Sequence, residues 1–262
     1  MSEAIDHSII KTTLKDGIKT IAFNIPNKKN PILPASMELM LAHIKESEND
    51  GTKVIVISGA GGNFSSGAML APEMLSDFDV TAYLSEKVNP VILAIRNTSI
   101  PVIAKVQGVC VGLGFSIALA CDMLLAKEDA RFSQIFTRIG LSSDGGGSYF
   151  LTELLGHRKA FELIASNQEL SAKAALEMGI ASHVFPSELF EAEVMKFTIS
   201  LAKGPSIALA QVKKNVQSAT KGNLADTLEE EAKNQAACFK STDFKEGIQA
   251  FMEKRQANFK GE

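Results

Sequence analysis

The chain has 262 residues, 45% of them hydrophobic and 22% charged, with a net charge of −3. That length can bury about three quarters of the extended chain's surface, and the slight acidity leaves no basic footprint for nucleic acid. Cys110, Cys121 and Cys238 are too scattered for a disulfide framework, the histidines lack a zinc-ligand spacing, so no metal is expected, and no apolar run reaches membrane-spanning length, so no membrane partner is expected.

The first residues, 1–7, are polar and acidic without a secretory leader pattern, so a cytoplasmic location is expected. Residues 9–14 and 18–24 flank Asp16-Gly17, and Asp-Gly between β-prone runs predicts a hairpin. Residues 24–31 read as a loop from their Pro and Asn content, with Lys28 and Lys29 at its tip. Ser36 is placed to cap a helix running to about residue 49, with Leu39, Met40 and Ile44 on its apolar face. Residues 54–58 read as a buried strand. It opens into a loop of small residues, Gly59 to Leu70, in which Ala68 is placed to offer a backbone N–H. A helix is predicted over 83–97.

Pro101 introduces the strand 102–106, which leads into Gly108-Val109-Cys110-Val111-Gly112-Leu113-Gly114 and an apolar helix ending before Asp122. The chain is organised around this stretch. Glycine where a strand meets a helix lets the backbone approach a ligand closely. The first N–H groups of a helix have no intrahelical partner and point outward. Three readings fit: a backbone-donor site for a partly negative oxygen, a tight helix–strand packing contact, and a dinucleotide fingerprint. The last is disfavoured by Ile117 at its final glycine position and by the short run to Asp122.

Residues 123–126 and 131–133 read as short strands. Asp144 then precedes Gly145-Gly146-Gly147 shortly before a helix. It reads as an N-cap, as a working carboxylate, or as both. Beyond residue 158 the pattern is helical over 158–165, 172–178, 189–202, 206–216, 224–239 and 243–255, punctuated by Gly179, Gly204 and Gly222, with a short strand at 183–185.

With these motifs in place, the chain resembles the crotonase superfamily, the enoyl-CoA hydratase/isomerase fold. The likeness rests on residues 24–32, 64–68, 106–122, 139–148 and 251–255 in order along nearly the whole chain. The resemblance implies an α/β fold, a spiral of repeated ββα units followed by a C-terminal helical trimerisation region. The corresponding division is 1–200 for the spiral core and 201–262 for the helical region, in a homotrimer or dimer of trimers. It implies an acyl-CoA thioester substrate, with coenzyme A part of that substrate and no separate cofactor. The oxyanion donors map onto the amides of Ala68 and Leu113. Lys28 and Lys29 map onto contacts with the phosphates of CoA, backbone near Pro31 and Ser66 onto the adenine pocket, and Met69 and Leu70 lie nearby. Phe251 and Lys254 match a tail segment that reaches CoA in relatives.

The resemblance also bears on the reaction. Relatives that hydrate enoyl-CoA carry two carboxylates, at positions occupied here by Ser116 and Phe136. Isomerases of the superfamily carry one acid in the loop where Asp144 stands. The expectation is therefore a shift of a double bond from 3-enoyl-CoA to 2-enoyl-CoA, with Asp144 as the proton carrier and Phe136 in an apolar lining that raises its basicity. Hydration, isomerisation of a ring-derived thioester, and a catalytically silent acyl-CoA binding protein stand as alternatives. Dehalogenation is disfavoured because no histidine lies in these motifs, and serine hydrolysis because no G-x-S-x-G elbow is present. Acyl specificity is expected to reside near Leu75, Phe78 and Tyr83.

Overall fold

The structure is a computed structural model and describes residues 6–76, 78–220 and 222–262. Strands β1 (Ile10–Lys15) and β2 (Ile18–Phe23) form the hairpin expected around Asp16-Gly17. They join β3 (Val54–Gly59), β4 (Val102–Val106), β6 (Met123–Lys127) and β9 (His183–Phe185) in a six-stranded sheet of order β1-β2-β3-β4-β6-β9. All its neighbours beyond the first hairpin are parallel. A second, three-stranded sheet has the order β5-β7-β8, from β5 (Val109–Val111), β7 (Arg131–Ser133) and β8 (Leu170–Ser171).

The chain repeatedly visits both sheets before entering a helix. From β4 it turns through Gln107-Gly108 into β5 and then α4 (Leu113–Ala120). From β6 it passes to β7 and then, through a 3₁₀ turn, to α5 (Gly147–Leu155) and α6 (His157–Ser166). After β3 it touches the small sheet at Ser65, bridged to Cys110, before α2 (Val80–Tyr83) and α3 (Asn89–Asn97). This is the spiral of ββα units implied by the resemblance.

Residue parity explains how the large sheet is covered. Ile55 and Ile57 of β3, with Val102 and Ala104 of β4, face a core shared with Met37, Met40 and Ile44 of α1 (Pro34–Ser47) and with Val91 and Ile95 of α3. Val54, Val56, Ile103 and Leu125 point the other way, onto Phe190 and Val194 of α8 (Phe190–Ala202). Side chains alternate faces along a strand, so sheets covered on both sides read as continuous apolar runs. All eight residues of α4 are buried, which accounts for its lack of a polar face.

The C-terminal half contains α7 (Ala172–Glu177), α9 (Ser206–Ala219), α10 (Leu224–Phe239) and α11 (Thr242–Glu253). Helix α9 is tied to the core by Lys213. Its ammonium group pairs with Asp122 at 2.8 Å and donates to the carbonyls of Ile95 and Ile100 at 3.0 and 3.1 Å. No helix among the described residues is long and apolar enough to cross a membrane.

Two expected helix starts shift. Helix α1 begins at Pro34, a residue whose missing N–H costs nothing in a first turn. Ser36 is therefore not the cap residue; its hydroxyl accepts the Leu33 N–H from inside the helix at 3.3 Å. The helix expected over 83–97 starts at Val80, where Asp79 accepts the Ala82 N–H at 2.9 Å, and it widens to a π turn over Leu84–Val88. Pro90 lacks the N–H that would continue the α ladder through this turn.

Candidate active site

Two glycine loops bring two main-chain donors together. Residues 63–67 are stitched to β5: the Ser65 N–H donates to the Val109 carbonyl at 2.9 Å and the Val111 N–H to the Ser65 carbonyl at 3.1 Å. Buried Ser65 donates its hydroxyl to the Asn30 carbonyl and accepts the Gly67 N–H, at 2.8 and 3.1 Å. Gly67, with φ +90°, lies so close to the other loop that a Cβ would stand 3.1 Å from the Val111 carbonyl and 3.8 Å from the Leu113 nitrogen. Gly112, with φ +54°, turns the chain from β5 into α4, so that Leu113 is the first helical residue. Among the described residues neither the Ala68 nor the Leu113 N–H has a hydrogen-bond partner. Two adjacent unpaired amides, one of them at a helix N-terminus, are placed to stabilise an oxygen on which negative charge develops.

These amides border a cavity of about 260 Å³ lined by Ser66, Gly67, Ala68, Leu70, Met74, Phe78, Val80, Tyr83, Leu84, Gly112, Leu113, Ile135, Phe136, Arg138, Ile139, Leu141 and Asp144. Asp144 is the only carboxylate in that lining among the described residues. Its Oδ1 is buried without a hydrogen-bond partner. Burial therefore raises its pKa from the ordinary 3.8 to about 6. Tyr83 shares the cavity, and burial followed by the charge of Asp144 keeps its phenol protonated above the usual range. Near neutral pH Asp144 is an ionised and poorly solvated carboxylate, suited to taking and returning a proton.

Asp144 does not cap α5. The cap residue is Gly146 at φ +79°, and Gly145 at φ +58° also requires the left-handed region, so two left-handed residues separate Asp144 from the helix. The expected cap role is therefore not met, and the carboxylate is left facing the cavity.

The other expected site residues divide into groups. Ser66, Leu70 and Phe136 line the cavity with the amides. Lys28 and Lys29 lie on an exposed 3₁₀ turn whose carbonyls accept the Ser66 hydroxyl at 3.3 Å and the Ser66 N–H at 2.8 Å, so the backbone of the lysine tip is fixed to a residue of the cavity lining. Pro31 is buried next to Ile32, which bridges to Ala68. Met69 is outside the lining, its N–H used on the Ile32 carbonyl at 2.9 Å. Phe251 and Lys254 end α11 outside the cavity of this chain, with Phe251 84% exposed. Of the residues expected to set specificity, Phe78 and Tyr83 line the cavity, whereas Leu75 is outside it and 91% exposed. Sequence reading did not assign a role to Asn30, whose buried amide accepts the Ile25 N–H and donates to the Ala60 and Asn63 carbonyls, tying its own turn to the loop that leads to Ala68. Its position between Lys29 and Pro31 in a turn was the available signal. Arg138 was likewise not singled out.

Unpaired main-chain donors and a desolvated carboxylate share one cavity on a two-sheet spiral, an arrangement with the chemistry to hold a developing oxyanion and to exchange a proton. The sequence pattern described as enoyl-CoA hydratase/isomerase matches residues 13–262. A probable enoyl-CoA hydratase of Rhodobacter capsulatus is 32% identical over 98% of this chain and 100% of its own length. The 1,2-epoxyphenylacetyl-CoA isomerase of Escherichia coli is 28% identical over 96% of this chain and 98% of its own. Among solved structures, an enoyl-CoA hydratase of Bacillus anthracis superposes with a TM-score of 0.91 at 27% identity, covering 97% of this chain and 100% of that one. The chain belongs to the enoyl-CoA hydratase/isomerase family of the crotonase superfamily, and is an acyl-CoA enzyme of that family.

Proposed function

We propose that the enzyme shifts a double bond, converting a 3-enoyl-CoA to a 2-enoyl-CoA. The observation that carries this reading is that Asp144 is the sole carboxylate among the described residues lining the cavity with the Ala68 and Leu113 amides. Adding water across a double bond calls for a group to activate water and a group to deliver a proton. A 1,3-proton shift needs one base that becomes the acid. The positions where hydratases carry their acids hold Ser116, buried in α4, and Phe136, buried against the cavity.

In this mechanism the thioester oxygen accepts the Ala68 and Leu113 N–H groups. Asp144 takes the proton from C2, and the electron pair of that C–H bond moves into a dienolate whose charge rests on the thioester oxygen. The proton returns from Asp144 to C4, leaving the double bond between C2 and C3. No water enters and the mass of the substrate is unchanged. The Ala68 and Leu113 amides are worth on the order of a hundred- to a thousandfold each in rate if they meet the developing charge. The Lys28–Lys29 tip serves the phosphates of CoA, with Pro31, Ser66 and Met69 near the adenine. Phe251 and Lys254 serve CoA from a neighbouring copy in a trimer or pair of trimers.

Isomerisation of a ring-derived thioester is a second reading, favoured by Phe78, Tyr83 and Phe136 around the cavity and by the similarity to the 1,2-epoxyphenylacetyl-CoA isomerase. The test is product analysis with 3-enoyl-CoA and 2-enoyl-CoA supplied separately. Conversion of the first without change of mass, abolished in Asp144→Asn, supports the proposal. Rapid gain of water by the second contradicts it.

A further inference from the structure

A buried polar chain joins the helix of one oxyanion donor to the loop of the acid, and the proton shift described above does not employ it. Ser116 is 0% exposed and Gln134 2%. The Ser116 hydroxyl donates to the main-chain carbonyl of Asp144 at 2.8 Å and accepts the Gln134 side-chain N–H at 3.3 Å. The same Asp144 carbonyl accepts the Gly147 N–H at 3.1 Å. Two donors on one carbonyl fix the orientation of that peptide, and with it the direction in which the Asp144 side chain leaves the backbone.

The glycine loop rests on this pair without clearance. A Cβ at Gly145 would lie 3.0 Å from Ser116 Cβ; one at Gly147 would lie 2.6 Å from Gln134 Nε2 and 2.8 Å from Ser116 Oγ. Ser116 stands three residues beyond Leu113 on α4, so its hydroxyl links the acid loop to the first turn that supplies an oxyanion donor. The described residues contain two buried side-chain oxygens without a partner, Asp144 Oδ1 and Gln134 Oε1, and both belong to this cluster. The orphan on Gln134 follows from the direction of the chain. Ser116 has one proton, given to the Asp144 carbonyl, and so needs a donor from Gln134; the amide turned the other way would supply an acceptor. An unpaired buried oxygen is unfavourable, and here it accompanies an orientation that serves the loop.

We propose that Ser116 and Gln134 are positioning residues that set the spacing between the oxyanion amides and the Asp144 carboxylate. The proposal rests on the reading of Asp144 as the proton carrier. It assigns a task to a serine that occupies the place of a hydratase acid without having an acid's chemistry. Displacing a reacting group by about 1 Å can cost on the order of a hundredfold in rate, so the loss of one tether is expected to cost about ten- to a hundredfold.

The test compares Ser116→Ala and Gln134→Met with the parent enzyme. Gln134→Met removes the donor and the orphan oxygen together while keeping the volume, so its thermal midpoint should hold even if that of Ser116→Ala falls. The expected result is a kcat lower by about ten- to a hundredfold with KM within about threefold. The acid limb of kcat/KM should move down toward the ordinary carboxylate range as water reaches a loosened Asp144. Tyr83 and Arg138 face the same cavity from α2 and the 3₁₀ turn and are unaltered in both variants. The Asp144 titration is also read without turnover, from the infrared difference between each protein and its own Asp144→Asn derivative. A parent enzyme still active as Asp144→Asn refutes the proton-carrier reading instead, whatever Ser116 does. Unchanged kcat and an unmoved Asp144 titration in both variants would overturn the positioning role. So would losses that track only the folded fraction.

Discussion

Asp144 should destabilise the protein it serves. Its carboxyl titrates at about 6 in the folded state against an ordinary 3.8, because burial disfavours the charged form. Between those values the folded state binds more protons than the unfolded state, so this group's contribution to stability falls as pH rises through the window and stays low above it. At about 1.4 kcal/mol per pH unit, the displacement corresponds to an upper bound of about 3 kcal/mol at pH 7.5. Asp144→Asn removes the charge but leaves an amide in the place where Oδ1 has no partner, and that returns part of the gain. The net expectation is a stabilisation of about 1–2 kcal/mol at pH 7.5, or about 2–8 °C in thermal midpoint for a chain of this size, shrinking toward zero or reversing at pH 3.5. The assay is chemical denaturation of both proteins at a series of pH values. The other titrating groups are common to both, so the difference isolates residue 144. A difference that does not change between pH 3.5 and 7.5, or an Asn variant less stable at pH 7.5 than at pH 3.5 relative to the parent, would refute the desolvation argument.

Other consequences are as direct. The pH profile of kcat/KM should rise through about pH 6 and level off above it, since the ionised carboxylate is the working form; a limb near pH 4 would mean that Asp144 is solvated during turnover. Gly114→Ala places a Cβ 2.6 Å from Ser65 Cβ and 2.8 Å from its hydroxyl, where Ser65 holds the other donor loop. We expect about 1–3 kcal/mol of destabilisation from overpacking and a loss of kcat beyond what the folded fraction explains, read by denaturation and steady-state kinetics on the same preparation. Lys213→Met strands Asp122 and two carbonyls in a buried setting; a loss of about 3–5 kcal/mol is expected, checked by urea unfolding. Lys28→Glu with Lys29→Glu should raise KM for the thioester by about fivefold or more at low salt with kcat little changed, an effect that added salt should shrink.

The parts of the site made by the backbone were readable from the chain. Gly67 and Gly112 adopt positive φ and Gly114 has no room for a Cβ beside Ser65, and those restrictions are local enough to show as composition. Asp144 was visible for the same reason, being an acid set among glycines. Its expected role as a helix cap was not realised, because two left-handed glycines intervene before the first helical turn. The sequence does not state which of several permitted conformations a run of three glycines adopts. Ser36 misled in a similar way: a serine near a helix start is a strong cap signal, but Pro34 fixed the start earlier. The polar chain through Ser116 and Gln134 was not legible, since a serine in an apolar helix and a glutamine after a strand acquire their meaning only when α4, the Asp144 loop and β7 meet. The cavity wall was legible in part: Phe78 and Tyr83 line it as expected, whereas Leu75, in the same segment, is turned away to solvent.

The most direct test of the central claim is a single-turnover experiment in which the purified enzyme meets a 3-enoyl-CoA in deuterated water, and the position of label and the mass of product are determined. The expected product is a 2-enoyl-CoA formed without addition of water, by a step that disappears in Asp144→Asn. A hydrated product formed at comparable speed, or isomerisation that survives the loss of the Asp144 carboxylate, would contradict it.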